Sequence, residues 1–419
     1  MSKRIILVCT AALLVLTSLA CGLPITVTIG QPTEGTTPLP PAPTQEPAAI
    51  LPTETQAPAP AEASDGTRHL GAILVDPMDK IGVNLLSPDG AFLAELMLGN
   101  DLSLSPNTTV PSSDYALPNE SNRVMFYTYP DYALAEYRNP GAIQLLANLP
   151  NLVTLIGDGW CDAFSYATTE FTAGGTQNAL YLSPGATVGG VPPVISELDP
   201  RGFAIFPVSA ICGAGQPGGV WYAHIPYGIG GDIVFPPYHG LYRLEAGQPS
   251  ATLVLDENQR FSGISDDQGL VAYSHKDDLS ELFILDVKKN TQVSIPVLPG
   301  SDRGAGDAVF SPDNTQLAWL EGSGFMMSDT PNFHAVVRIA PTSADVQLDK
   351  QKTDSEFANA VGLPSLWIRP VAWLDNTNLL VEGRGNTWED AYLLKLNTGS
   401  GAITLFAKGV YLGKYYSAD

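Results

Sequence analysis

Short runs of alternating apolar and polar residues recur along this chain of 419 residues, and they come in pairs. Such alternation predicts β-strands, and a short turn of Gly, Pro, Asn, Asp or Ser between two runs predicts a hairpin. Seven hairpins of this kind begin near Asn84, Ala135, Ala179, Gly240, Leu282, Val336 and Tyr392. A strand repeat spaced by roughly 40 to 60 residues, with no helix in the unit, predicts an all-β fold of the β-propeller type.

A second repeated element, an Asp-containing turn followed by a strand, lies between the hairpins. Ile264–Tyr273 aligns without a gap to Phe310–Trp319, and Asp313–Leu317 aligns in turn to Asp375–Leu379. Looser copies lie at Asp199–Phe203 and Asn119–Arg123. Ser and Asp side chains can hydrogen-bond the backbone of such a turn, and Gly or Asn tolerates positive φ there.

This turn and its strand resemble the SPDG repeat of WD40-like propellers such as the Tol-system periplasmic protein. The resemblance covers most of residues 68–419. Seven hairpins indicate seven four-stranded blades, while six or eight remain alternatives because the hairpin around Leu182–Gly185 is the weakest. The first blade has only three predicted strands, so we expect the segment left over at Val410–Tyr416 to complete it and close the ring.

The N-terminus has the features of a secretory signal, with Lys3 and Arg4 before a short apolar run. Leu16–Gly22 resembles the lipobox of bacterial lipoproteins, in which the cysteine, here Cys21, is acylated after cleavage. Ala20 fits that pattern, whereas Ser18 stands where the family usually has Leu. The resemblance implies a protein anchored by lipid to the cell envelope or cell surface, outside the cytoplasm. The alternative is an ordinary cleaved signal followed by an unmodified cysteine.

Residues 31–66 are rich in Pro, Thr, Ala, Gln and Glu and lack Lys and Arg. Such a segment cannot bury a core, and its prolines favour an extended spacer. The predicted organisation is therefore a signal peptide at 1–20, a lipidated cysteine with a disordered tether at 21–67, and a propeller at 68–419.

Charge and cysteine content narrow the possible partners. The formal net charge of −22 argues against nucleic acid, and it leaves an acyl chain as the only expected attachment to a membrane. Cys161 and Cys212 are about one blade apart in a compartment where disulfides persist, so they are predicted to form one. Two buried free thiols are the alternative. A monomer is expected.

The stretch Gln216–Tyr242 exceeds the repeat and is unusually aromatic. A long insertion that projects from one face of a propeller is a candidate ligand-binding element. Its candidate residues are Trp221, Tyr222, His224, Tyr227, Asp232, Tyr238 and His239. The alternative is that these aromatic side chains pack against the ring. His224, Asp232 and His239 are suitable zinc ligands by type, but their spacings of 8 and 7 fit no metal motif, so neither a metal nor another cofactor is expected.

No catalytic motif is evident, and the G-x-S-x-G sequence of propeller-linked hydrolases is missing from the chain. We therefore expect a non-enzymatic binding or interaction module for a peptide, a glycan or an envelope protein. One alternative is an enzyme acting on extracellular carbohydrate, which would need clustered carboxylates near the ring axis. The other alternative is an envelope assembly scaffold.

Overall fold

The computed structural model describes the residues 69–76, 82–97, 115–116, 123–128, 133–138, 143–148, 153–158, 163–184, 192–213, 216–226, 235, 237–275, 278–298, 303–323, 334–343, 350–387 and 390–417. All of them belong to one compact unit, Glu62–Asp419. The predicted anchor at Cys21, the tether, Cys161, Tyr227 and Asp232 lie outside the described residues.

The described residues form 27 strands in six antiparallel sheets. The first sheet contains β1 (His69–Asp76), β2 (Gly82–Leu86), β3 (Phe92–Met97) and the last strand of the chain, β27 (Val410–Ser417). The second contains β4 (Tyr115–Ala116), β5 (Arg123–Thr128), β6 (Ala133–Arg138) and β7 (Ile143–Asn148). The third contains β8 (Val153–Asp158), β9 (Ala163–Thr172), β10 (Gly175–Pro184) and β11 (Ile195–Asp199).

The fourth sheet has seven strands: β12 (Phe203–Gly213), β13 (Gln216–Pro226), β14 (His239–Glu245), β15 (Thr252–Ile264), β16 (Leu270–His275), β17 (Asp278–Asp286) and β18 (Thr291–Pro296). The long strand β15 belongs to two groups of strands. Its residues up to Leu255 pair mainly with β14, and those from Gln259 onward pair with β16. Divided at that point, the described strands form seven groups of four, although the number of blades stays a prediction.

Two four-stranded sheets follow. One contains β19 (Gly304–Phe310), β20 (Gln316–Ser323), β21 (His334–Pro341) and β22 (Lys350–Thr353). The other contains β23 (Trp367–Trp373), β24 (Asn378–Arg384), β25 (Ala391–Asn397) and β26 (Ile403–Lys408). The helix α1 (Asp354–Val361) lies between them. None of the helical residues described forms a helix long and apolar enough to span a bilayer.

The first strands of successive groups contact one another, β4 with β8, β8 with β12, β15 with β19 and β19 with β23. This arrangement of radial antiparallel sheets around the first strands is that of a β-propeller, as the sequence predicts. Core clusters lie between neighbouring sheets; one of them combines Ala318, Val337, Ile368 and Val381. The strands therefore bury their alternating apolar residues against the next group rather than in one central core.

The predicted closure is confirmed. β27 pairs with β1 along its whole length, from His69 opposite Ser417 to Asp76 opposite Val410. The chain end thus supplies the strand that the first group lacks, and β1 is left without an open edge.

The predicted role of the Asp turns is also confirmed in two copies. The Ser265 hydroxyl donates to Asp267 at 2.7 Å, which in turn accepts from the Gly269 N–H at 3.0 Å. Ser311 and Asp313 repeat these contacts, with the Thr315 N–H as the donor at 3.1 Å. The fourth residue of each turn has a positive φ, 59° at Asn314, where Asn was expected to tolerate it, and 58° at Gln268, where Gln was not expected.

One detail of the predicted pattern is wrong. The turn predicted at Leu182–Gly185 does not begin at Leu182, because β10 continues through Pro184, and the next strand described is β11, from Ile195. The second strand of the hairpin predicted from Val336 falls at 344–349, outside the described residues, and the next strand described there is β22, from Lys350. The loose copy at Asp199–Phe203 is a turn followed by a strand, as predicted, and it joins β11 to β12. The loose copy at 119–123 lies mostly outside the described residues.

The expectation of strands alone is wrong at α1. Thr353 caps this helix by accepting from the Glu356 N–H, and the Glu356 side chain accepts from the Thr353 N–H, which completes a capping box. Phe357 and Ala358 are buried on its inner face. The helix ends at Gly362, whose φ of 74° is in the left-handed region that glycine adopts without strain.

Candidate functional site

The aromatic stretch Gln216–Tyr242 consists of two strands and a connection at 227–238, of which Phe235, Pro237 and Tyr238 are described. Trp221, Tyr222 and His224 lie on β13, and His239 is the first residue of β14. All four side chains are buried. Of Cys212 only the backbone, within β12, is described, so the predicted disulfide remains a prediction.

Trp221 and Tyr222 point to opposite faces of β13, as successive strand residues do. Trp221 packs among the residues between β13 and β16, and its indole N–H donates to the Gln268 side chain at 2.9 Å. Tyr222 stacks on Tyr242 with the ring centroids 5.0 Å apart. Trp221 therefore lies in the contact with the following group of strands, and Tyr222 also packs with Ala167 and Leu180 of the preceding group.

The two histidines also have close neighbours. His224 Nε2 lies 2.7 Å from a Glu197 carboxylate oxygen on β11, which links two groups of strands. The His239 ring stacks on Phe203 at 5.2 Å. Among the described residues, no three His, Cys, Asp or Glu side chains converge as metal ligands would. Asp232, the third residue considered as a zinc ligand from the sequence, lies outside the described residues.

Tyr238 and Phe235 contact the first strands of three groups. Tyr238 contacts Phe206 on β12 and Phe261 on β15, with ring centroids 4.8 and 6.1 Å apart. Phe235 joins the apolar cluster of the last two sheets and lies directly on Gly306 of β19. A Cβ at Gly306 would stand 2.4 Å from the Phe235 ring, so glycine is required for this approach. The connection that starts from β13 therefore packs against strands that come much later in the chain.

A small cavity lies beside these two aromatic residues. Its walls are formed by Phe235, Tyr238, Arg260, Phe261, Ser262, Ser274, Ala305, Gly306 and Asp307. The free volume is about 20 Å³, which is enough for one water molecule. The cavity combines a guanidinium, a carboxyl, a phenol and two hydroxyls, a mixture typical of a binding site and uncommon in a core.

Two polar residues of the cavity, Ser262 and Asp307, lie at bulges in first strands. The pairing register shifts at Val208 in β12, at Ser262 in β15, at Asp307 in β19 and at Val371 in β23. A bulge re-aims the side chain at the irregular position and is common near functional sites. Asp307 has a φ of 48°, a left-handed conformation that costs free energy for a residue other than glycine.

Asp307 is electrostatically unusual. Burial raises the pKa of its carboxyl to about 6, against the attraction of Arg369 and with a small further contribution from Glu382. Tyr238 is close to both Asp307 and Arg369, and burial raises the pKa of its phenol. Asp307 is thus a carboxyl whose charge changes near neutral pH, which is common at functional sites.

Glu382 is the centre of a buried network next to this cavity. Its side chain is fully buried, and one oxygen lies 2.8 Å from Arg384 Nε and 3.3 Å from an Arg369 terminal nitrogen. The other oxygen accepts from the Tyr411 N–H at 2.9 Å. Because Tyr411 lies on the closing strand, Glu382 ties that strand to the preceding sheet.

The sequence did not single out Arg260, Asp307 or Arg369. A signal exists, because each of the three is a charged residue six or seven positions before the Asp of the turn that follows, and Asp307 and Arg369 are the single charged residues of their strands. An ion pair also crosses from the closing strand to one of these turns, with Lys414 Nζ 2.5 Å from an Asp266 oxygen.

The chain is similar to several solved structures, of which three are described here. Prolyl oligopeptidase B from Galerina marginata, bound to a 25mer macrocyclization substrate, is similar with a TM-score of 0.51 and 7% identity, over 83% of this chain and 51% of that one. A putative TolB from Agrobacterium tumefaciens is similar with a TM-score of 0.36 and 11% identity, over 69% and 89%. The β-propeller domain of Myceliophteria thermophila Cps50 (Swd1) is similar with a TM-score of 0.40 and 11% identity, over 73% and 90%.

These similarities concern the fold alone, given the low identities. The chain spans about half of the prolyl oligopeptidase it resembles. No known protein family matches the sequence, and no curated protein matches it either.

Proposed function

We propose that this protein is a lipid-anchored extracytoplasmic β-propeller that binds a ligand at the small cavity between β15 and β19. The observation that supports the proposal is the convergence of Arg260, Asp307 and Tyr238 on this cavity. Polar side chains that meet from separate strands and from a connection fix the orientation of a ligand more readily than they stabilise a fold.

A binding role explains the two carboxyl groups near the cavity better than a catalytic role does. Glycoside cleavage uses two carboxyl groups placed on either side of the scissile bond. The two buried acids near the cavity are Glu382 and Asp307. Glu382 already accepts from Arg369, Arg384 and the Tyr411 N–H, so only Asp307 could act as a catalytic carboxyl group. The carbohydrate-enzyme alternative has one supporting observation, the Asp307 pKa of about 6, which suits a general acid.

The assembly-scaffold alternative also has one supporting observation. Several large apolar side chains are exposed on strands at the outer ends of their sheets, among them Phe92 on β3, Leu198 on β11 and Leu405 on β26. Exposed apolar residues on edge strands can serve as contacts for another protein.

Binding is tested with the mature protein on glycan and peptide arrays, followed by Arg260→Gln. We expect one class of ligand to bind, and we expect the substitution to weaken it by about tenfold because a charge-assisted contact is lost. A ligand that binds both proteins equally would place recognition elsewhere. Turnover of a carbohydrate ligand that stops in Asp307→Asn would favour the enzyme alternative, and stable capture of an envelope protein without any array ligand would favour the scaffold.

The anchor is tested separately by replacing Cys21. Cys21→Ala should move the protein from the membrane fraction to the soluble fraction. Cys9→Ala is the matched control because this cysteine lies within the same leader, and it should change nothing. Retention of the Cys21→Ala protein in the membrane fraction would contradict the proposed anchor.

A further inference from the structure

Four polar side chains that line the cavity form no hydrogen bond with any other described residue. They belong to Tyr238, Ser262, Ser274 and Asp307. Ser274 is the most informative of them, because it is only 1% exposed. A buried hydroxyl group without a partner is costly, and such groups call for an explanation in each case. The space that the four side chains share is the cavity, so we look for their partner there.

Size and chemistry limit what that partner can be. The free volume of about 20 Å³ accommodates one oxygen atom with its hydrogens. The Asp307 carboxylate can only accept hydrogen bonds, whereas the Arg260 guanidinium can only donate them. A group that donates and accepts at the same time serves both, as a water molecule or a ligand hydroxyl does. A carboxylate is too large for this volume and has no proton to donate.

The cavity has an accessible side and a buried side. Tyr238, Arg260, Ser262 and Asp307 each keep part of their surface accessible to solvent. Ser274 and the remaining lining residues are buried. A hydroxyl group at the edge of a larger molecule can therefore enter from the accessible side, with Ser274 at the inner end, while the rest of that molecule stays outside.

The charges around the cavity favour a neutral molecule. One guanidinium and one carboxyl group line it, so neither charge is in excess. The whole chain has a formal net charge of −22, which disfavours acidic ligands. The aromatic rings of Tyr238 and Phe261, with centroids 6.1 Å apart, lie beside the polar groups. A sugar ring matches this surrounding, because its C–H faces are apolar and its edge carries hydroxyl groups.

We propose that the cavity receives one hydroxyl group of a neutral carbohydrate, which replaces a water molecule bound there in the free protein. In this arrangement the hydroxyl donates to Asp307 and accepts from Ser274 and Arg260. This inference rests on the proposed function, because it names the class of ligand recognised at the same site.

Calorimetry with neutral methyl glycosides tests the inference on the mature protein. Methyl glucoside, methyl galactoside and methyl N-acetylglucosaminide are each compared with their monodeoxy analogues, which lack one hydroxyl group. We expect at least one glycoside to bind, and we expect the loss of one particular hydroxyl to weaken its binding about tenfold, because Ser274 and Asp307 are then left without a partner. Loss of any other hydroxyl should change the affinity by less than about threefold.

A second pair of probes presents the hydroxyl group of a peptide. N-acetylserinamide and N-acetylalaninamide differ in that group alone, and neither aromatic ring of the cavity gains a sugar face from them. We expect no difference in affinity between the two.

Variants make the test specific to the cavity. Ser274→Ala removes the hydroxyl at the inner end, so it should reduce the tenfold difference between the glycoside and its deoxy analogue to about threefold or less. Its Tm should stay close to that of the wild type, because the lost hydroxyl has no partner among the described residues. Ser294→Ala is the matched control, since Ser294 is exposed on β18, and it should leave the difference unchanged.

Crystal structures provide a second measurement. The free protein should contain one ordered water between Ser274 and Asp307, and the complex should have a sugar oxygen at the same position. A complex that keeps this water, or equal affinities for a glycoside and all its deoxy analogues, would overturn the inference. So would a difference that survives Ser274→Ala, a response limited to the serine pair, or no binding by any glycoside.

Failure here is separable from failure of the proposed function. An array ligand whose affinity depends on Arg260 but not on Ser274 would leave the binding role intact while excluding the inserted hydroxyl. The lack of any array ligand would count against the binding role itself.

Discussion

The substitution Glu382→Gln should weaken closure of the ring. The fully buried carboxylate accepts from Arg384, Arg369 and the Tyr411 N–H at 2.8, 3.3 and 2.9 Å. Glutamine has nearly the same shape but replaces one acceptor oxygen by an NH₂ group, which then faces another donor. Removing one partner of a buried ion pair costs about 3–5 kcal/mol. Both guanidinium groups are about one-third exposed, so solvent compensates in part, and we expect about 2–3 kcal/mol.

The assay combines thermal unfolding with hydrogen exchange. For a large domain, a loss of about 1 kcal/mol lowers Tm by roughly 2 °C, so Glu382→Gln should lower it by about 4–6 °C. The amides of β27 should exchange faster, because this strand loses its contact with the preceding sheet. An unchanged Tm, or unchanged exchange along β27, would refute the reasoning.

Glu321→Gln provides a matched control. Glu321 is also fully buried and lies 2.9 Å from Arg338, but its backbone donor is the Leu298 N–H, far from the closing strand. Arg338 is buried, so solvent cannot compensate for the lost contact, and this variant should be destabilised at least as much as Glu382→Gln while β27 keeps its protection. Loss of β27 protection in both variants would mean that the strand responds to global stability and has no particular link to Glu382.

Three further predictions concern single positions. Gly263→Ala should destabilise the fold by about 3 kcal/mol in chemical denaturation, because its Cβ would stand 1.9 Å from the Ala308 carbonyl oxygen; a wild-type midpoint would contradict this contact. Asp307 should make the stability depend on pH. The pKa of its carboxyl is about 4 in the unfolded chain and about 6 in the folded protein, so between these values the folded protein binds more protons. Stability should therefore fall as the pH rises from about 4 to about 6. Melting curves of Asp307→Asn should lack this component, and an identical pH dependence would exclude Asp307 as its source. Thr353→Ala should cost about 1 kcal/mol in the same denaturation assay because the N-cap of α1 is lost, whereas Thr353→Ser should cost little; equal losses would argue against a capping role.

The parts of the fold that depend on local chemistry were predictable. The turns at Asp267 and Asp313 are specified by side chains within two residues of them, so their hydrogen bonds could be anticipated. The closing strand could be predicted because the segment around Tyr411 had no partner in the last hairpin. The helix α1 was not predicted, although its capping box, Thr353 with Glu356, is a local signal. The strand repeat was the stronger pattern, and it led to a prediction of strands alone.

The site could be predicted only in part, because it forms between residues that are far apart in sequence. The aromatic stretch drew attention to Tyr238, but nothing in the chain announces that its neighbour Phe235 packs on Gly306. Arg260 and Asp307 come from the first strands of neighbouring groups and meet only when these groups pack together. Their common position before the Asp turn indicates an inward-facing residue, yet a residue pattern along the chain does not give distances between groups.

The most direct measurement of the central claim is the affinity of the wild-type and Arg260→Gln proteins for the array-identified ligand, determined in parallel by calorimetry. If the cavity between β15 and β19 is the binding site, the substitution weakens binding by about tenfold while Tm stays close to that of the wild type. Equal affinities in two folded proteins would contradict the account and place recognition outside the cavity.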